Sequence, residues 1–131
     1  MKKEETIVID PVGMNIVNRI APGTKSTGTL ECSGGLLVQG QFEGKLVIKD
    51  GPLVLMQGGV IAGDFDCSQD AYLFGTIGTK PGGEHSQLTV GGTAFMAETL
   101  QAKADITTCV FKTYEGAQVD GRIRTVPREP D

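Results

Sequence analysis

The chain has 131 residues, room for one domain with a single modest core. Its 19 glycines and few aromatics (five Phe, two Tyr, no Trp) argue against a bulky interlocked core or a large helical bundle, and favour a lean, repetitive architecture. Twelve Lys and Arg against 16 Asp and Glu leave a formal charge of -4, without the basic excess that phosphate neutralisation requires, so nucleic acid is not an expected partner.

Residues 1–19 read as an N-terminal tail. Lys2, Lys3, Glu4 and Glu5 precede the short apolar run Ile7-Val8-Ile9. That run is too brief for a signal peptide or a membrane span, and no export signal is visible. Ile7, Val8 and Ile9 are a candidate membrane contact; capping of the first repeat, or a strand formed with Ile16 and Ile20, is the competing expectation.

Residues 20–126 carry an internal repeat of about 18 residues. The template is small-x-apolar-x-Gly-x-apolar, in which alternate residues of a strand share a face. Gly40-x-Phe42-x-Gly44-x-Leu46, Gly59-x-Ile61-x-Gly63-x-Phe65 and Ala117-x-Val119-x-Gly121-x-Ile123 match it fully. Ala94-x-Met96-x-Glu98-x-Leu100 matches with Glu in place of Gly. Thr24-x-Ser26-x-Gly28-x-Leu30 is polar at the front, and Gly75-x-Ile77-x-Thr79-x-Pro81 loses its second half. Opening positions 40, 59, 75, 94 and 117 give steps of 19, 16, 19 and 23 by subtraction.

Apolar pairs spaced by two fall between the copies, at Leu36/Val38, Leu53/Leu55, Ala71/Leu73, Leu88/Val90 and Cys109/Phe111. A further series follows each copy, at Leu30/Cys32, Leu46/Ile48, Phe65/Cys67, Leu100/Ala102 and Ile123/Thr125. Three short strands per repeat predict an all-β fold: a triangular parallel β-helix, or solenoid, of about six rungs. Short flexible tails are expected at 1–19 and 127–131. Glycine is expected where the chain turns a tight corner or backbones approach closely.

Cys32, Cys67 and Cys109 form an odd set with no CxxC pair and no adjacent His, which supports neither disulfides nor zinc. Cys32 and Cys67 share a register two rungs apart, as small apolar fillers would. His85, the single histidine, lies in the polar loop Thr79 to Gln87 and reads as a solvated residue. There is no P-loop, no dinucleotide-binding glycine motif and no calcium-binding glycine turn, so no cofactor, metal or nucleotide is expected.

The segment from Gly28 to Arg124 resembles the bactofilins, polymer-forming cytoskeletal proteins of bacteria. Three stretches carry the likeness: Thr29 to Leu46 (TLECSGGLLVQGQFEGKL), Gly59 to Phe65 (GVIAGDF) and Glu115 to Ile123 (EGAQVDGRI). The resemblance implies a right-handed β-helix that assembles end to end into nucleotide-independent filaments. It also implies a homopolymer in the cytoplasm, at times on the inner face of the cytoplasmic membrane, scaffolding cell-shape and envelope-synthesis proteins. Glu98, the loop after Ile77 and the long last step depart from the family pattern.

A solenoid exposes unpaired backbone and a cross-section of core only at its two ends. Nothing after Ile123 reads as a capping helix, so the C-terminal end is expected to be open. Phe111, Val119 and Ile123 are the candidate polymerisation surface there, with Leu30, Leu36 and Val38 at the N-terminal end. The rival readings are a hexapeptide-repeat acyltransferase using His85 and a non-polymerising β-solenoid binding module. The first lacks sustained six-residue aliphatic spacing, and the second shows no aromatic ladder in the sequence. The expectation is a structural protein rather than an enzyme.

Overall fold

The computed structural model describes residues 12–13 and 15–126. All secondary structure among them is β: thirteen strands in one continuous sheet, every pairing parallel. Parallel neighbours with short connections require the chain to wind, and here it winds as stacked coils of three segments each.

The first segments are β2 (Lys25–Ser33), β4 (Gln41–Lys49) and β6 (Val60–Cys67), long strands that bend at a glycine and so supply two walls. The third wall holds β1 (Ile16–Ile20), β3 (Gly35–Val38), β5 (Leu53–Leu55) and β7 (Ala71–Leu73). In the later coils the first two walls are built from β8 (Thr76–Gly78) and β9 (Ser86–Met96), then β10 (Gln101–Ala102) and β11 (Ala104–Thr113), then β12 (Gln118–Val119) and β13 (Ile123–Thr125). The ends of β9 and β11 return to the third wall. The chain is thus a β-solenoid of about six coils, as the repeat predicts. Its first strand begins at Ile16, inside the segment expected to be tail.

Inward residues stack into columns. One runs Leu30, Leu46, Phe65, Leu88, Ile106, Ile123. A second runs Ser26, Phe42, Ile61, Ile77, Ala102, Val119. The third wall contributes Leu36, Leu53, Ala71, Ala94 and Phe111. Apart from Ser26 and Phe111 at the column ends, these side chains form or pack against a single core cluster. Cys32 and Cys67 flank Ile48 in one column, both buried, as fillers should be.

The register corrects the sequence reading after residue 75. Ala94 and Met96 pair with Ala71 and Leu73 on the third wall, and do not open a template copy. Leu88 and Val90 pair with Phe65 and Cys67. Phe111 follows Ala94, so the third-wall pair in that coil is Phe111/Thr113 rather than Cys109/Phe111. The fifth copy is Leu100-x-Ala102-x-Ala104-x-Ile106, and Glu98 is not in the glycine column. The cause is an insertion: residues 79–85 leave the wall between β8 and β9, and the same wall resumes at Ser86. The polar loop interrupts a copy without ending it.

Ser86 closes the gap. Fully buried, its hydroxyl accepts a hydrogen bond from Gly63 N at 2.9 Å and donates to the Gly78 carbonyl. A buried hydroxyl so satisfied carries no desolvation debt. The buried Thr108 hydroxyl lies 2.8 and 2.9 Å from the Gly92 and Val110 carbonyls and shares its one proton between them.

The glycine column exists because coils approach closely at the corner. Gly44 and Gly63 sit at φ 137° and 130°, where L side chains are strained. A Cβ on Gly44 would overlap the Gly28 carbonyl oxygen, and one on Gly63 would overlap that of Gly44. Gly28 has the same kind of backbone, φ 110°, yet a Cβ there meets nothing within 4 Å, and among the described strands β2 pairs only with β4. Gly44→Ala should therefore lower stability by about 3 kcal/mol or more, from strain plus overlap, whereas Gly28→Ala should cost only the strain, about 1–2 kcal/mol. Denaturant melts of the two variants check the ranking.

Candidate assembly surfaces at the two ends

Each wall strand inside the stack is paired on both sides, so unpaired ladder groups collect at the ends. At the C-terminal end the exposed edges belong to β12, β13 and the last residues of β11, which pair only downward. Phe111 continues an inward column but is 43% exposed, and among the described residues no strand pairs beyond it. Val119 and Ile123, in the next and last coil, are partly buried against the core. The structure brings these three expected residues to one surface. Val110 and Val126 are also exposed, at 46% and 37%; Val110 alternates with Phe111 and shares the outward register of Lys112. Val110 is absent from the sequence reading because a register shift after Thr108 breaks the strand alternation that would have flagged it.

The expected N-terminal surface divides. Leu30, on the open edge of β2, is partly buried against the core. Leu36 and Val38 are 1% and 0% exposed, because Asn18 and Ile20 of β1 pair directly over them. A partner arriving at this end meets β1 and β2, with Asn18, Ser26 and Leu30 heading the inward columns. Asn15 holds β1 in place: its carbonyl accepts from Gly35 N at 2.8 Å, and its side-chain amide donates to the Asp50 carbonyl at 2.8 Å. Ile7, Val8 and Ile9 lie outside the described residues.

The last coil is fastened by Asp105. One carboxylate oxygen accepts from Arg122 N at 2.9 Å at the Gly121 corner, and the other accepts from Gln87 at 3.1 Å. His85 Nδ1 stands 3.4 Å from the same carboxylate. The hydrogen bond from Arg122 N, then that from Gln87, holds the Asp105 pKa below its usual value. His85 therefore belongs to a surface network that ties the inserted loop to the last coils. A shallow depression on the second wall is lined by Glu31, Cys32, Ser33, Val47 and Lys49. No group of His, Cys, Asp and Glu suited to a metal occurs among the described residues.

Burial raises the Cys67 thiol to about 11, and raises Cys32 as well, so neither is a ready thiolate at neutral pH. Among the described residues, the strand edges without a neighbouring strand lie at the two ends of the solenoid. That arrangement defines the class as a parallel β-solenoid repeat protein. A family model described as "Bactofilin: Polymer-forming cytoskeletal" matches residues 18–124, from the first strand to the last. The chain belongs to the bactofilin family. No curated protein and no solved structure matches it.

Two outcomes follow from the titrating groups. Asp105 stabilises the last coil as a carboxylate, and a lowered folded pKa means this contribution is present at neutral pH and lost as pH falls through that folded value, below the ordinary carboxylate pKa of 3.8. Asp105→Ala should remove it, seen as a shallower acid limb in a pH series of thermal melts. Folded Cys67 retains its proton between pH 9 and about 11 while the unfolded thiol loses it, so stability declines with rising pH across that window. A thiol reagent at pH 8 should modify the partly exposed Cys109 before Cys32, and Cys67 only on unfolding, as peptide mass mapping would report.

Proposed function

We propose that the protein assembles end to end into nucleotide-independent filaments, and that these filaments scaffold cell-shape or envelope-synthesis proteins in the cytoplasm, at the inner face of the membrane. One observation carries the reading. The hydrophobic side chains that pack on the core while remaining partly exposed are Leu30, Ala117, Val119 and Ile123, one at the first coil and three in the last. The core is closed along its length and open at its ends.

Energetics support stacking through backbone and side chains together. Burying the exposed parts of Phe111, Val119 and Ile123 is worth on the order of 3–4 kcal/mol. Association costs at least about 4 kcal/mol in lost freedom, so side chains alone do not hold a filament. The unpaired ladder of β12, β13 and the end of β11 supplies further bonds, each worth about 1 kcal/mol net. Both contributions act only when coil meets coil in register.

Negative-stain microscopy and sedimentation of protein purified without nucleotide test the proposal. The native chain should give filaments that pellet. Phe111→Arg and Val119→Arg should each give soluble monomers with unchanged circular dichroism. Filaments from both variants would place the contact elsewhere, and a discrete trimer from the native chain would favour the acyltransferase reading.

A further inference from the structure

Two strands form the N-terminal edge of the described stack, and they are held unequally. β2 pairs with β4 over nine consecutive residues without a break. β1 pairs with β3 at four positions, and the register shifts between Ile16 and Asn18, where Val17 is 67% exposed. Of the five residues of β1 only Ile20 is buried, at 6% exposure. Asn18 occupies the inward register above Leu36, where an apolar side chain would extend the column. Its amide instead donates to the Ser33 and Gly35 carbonyls at 3.2 and 3.3 Å, the long end of the hydrogen-bonding range. Little apolar packing and a short, exposed ladder are the marks of a segment with low local stability.

The residues under β1 are of the opposite kind. Leu36 and Val38, 1% and 0% exposed, have Asn18 and Ile20 as their register partners on this side. The chain leaves β1 through a turn over residues 21–24, in which Gly23 has φ 84° and Thr24 N donates to the Ala21 carbonyl at 3.1 Å. Beyond the turn, Gln41 N donates to the Thr24 carbonyl at 2.8 Å, and continuous pairing begins at Lys25. A weakly held strand thus lies over a closely packed edge, with a glycine turn between it and the rest of the stack.

We propose that β1 is a displaceable strap over the N-terminal end, and that assembly at this end requires it to swing away about the turn at residues 21–23. The contacts released are few. The Asn15 carbonyl parts from Gly35 N, and the Asn15 amide from the Asp50 carbonyl. The Ile20 carbonyl parts from Gln39 N and Gly40 N, at 2.8 and 3.1 Å, and Arg19 Nε from Gln39 Oε1 at 2.6 Å. Opening uncovers the edge of β3 with Leu36 and Val38, beside the partly buried Leu30. The occupant is a second copy of this chain, so the strap deepens the end-to-end reading above and rests on it. The apparent affinity of the N-terminal end is then set by the fraction of molecules whose strap is open.

Hydrogen exchange reads the strap without filaments, in the Phe111→Arg chain. Peptides spanning residues 16–20 and 39–40 should exchange with a common rate, at least about tenfold faster than β4. A disulfide staple then tests the assembly role: Arg19→Cys with Leu37→Cys, register partners on the outward face, in a Cys109→Ser background. Oxidised, the stapled chain should pellet at least about tenfold less than after reduction. Ile20→Ala, which loosens the strap, should shorten the lag before filaments appear. Exchange at residues 16–20 and 39–40 as slow as in β4 would overturn the proposal, and so would equal pelleting of the oxidised and reduced staple. A native chain that never pellets would overturn the filament reading and the assembly role with it, while the exchange rates still decide whether β1 opens.

Discussion

The rest of the structure depends on coils stacking in register at hydrogen-bonding distance. Parallel strands about 4.8 Å apart leave no space for a side chain where the wall bends, so the bend is made by Gly44 and Gly63 against the carbonyls beneath them. Where the column departs from glycine, it does so with small residues: Ser86, which turns its hydroxyl into the ladder, and Ala104, beneath Gly121. The apolar columns follow from the same register, because a strand held residue over residue presents like against like. Backbone geometry and core composition are therefore one constraint read at two positions of the repeat.

That constraint also distinguishes the ends of the stack from its middle. A repeat stacked on itself satisfies every interior coil and leaves the first and last unsatisfied. This chain has no helix among its described residues to cover them. Membership of a polymer-forming cytoskeletal family agrees with open ends. The two ends are unlike: the C-terminal one presents Phe111, Val119 and Ile123, while β1 lies across much of the N-terminal one and presents Asn18 beside Leu30 and Ser26. Asp105, reached by Gln87, His85 and Arg122, connects the inserted loop to the coil that forms the C-terminal surface.

Repetition made the all-β solenoid, its coil count and the buried Cys32 and Cys67 legible in the sequence, because alternation and glycine spacing are local and recur. Residues 28 to 73 were read in register, from Leu30 over Leu46 to Leu73 beneath Leu55. The reading slipped after Ile77, where residues 79–85 leave the wall and return to it. Spacing along a chain cannot distinguish a loop that ends a strand from one that interrupts it. Only the pairing of Ser86 to Leu88 with the second half of β6 decides this. Leu36 and Val38 slipped for a related reason, since coverage by β1 depends on where that strand lies rather than on its own weak pattern.

The third wall shows the same division. Leu37, Val54, Tyr72 and Phe95 are spaced by 17, 18 and 23 residues, and nothing in their local context marks them as neighbours. By itself, the sequence determined what recurs: the strand period, the glycine corners and the apolar interior, each imposed by the geometry of a single coil. Tertiary structure alone decided how coils of unequal length align, which strand covers the first coil, and which outward residues join into a stripe. Those outcomes belong to contacts between coils, and a one-dimensional pattern holds no record of them once the coil length varies.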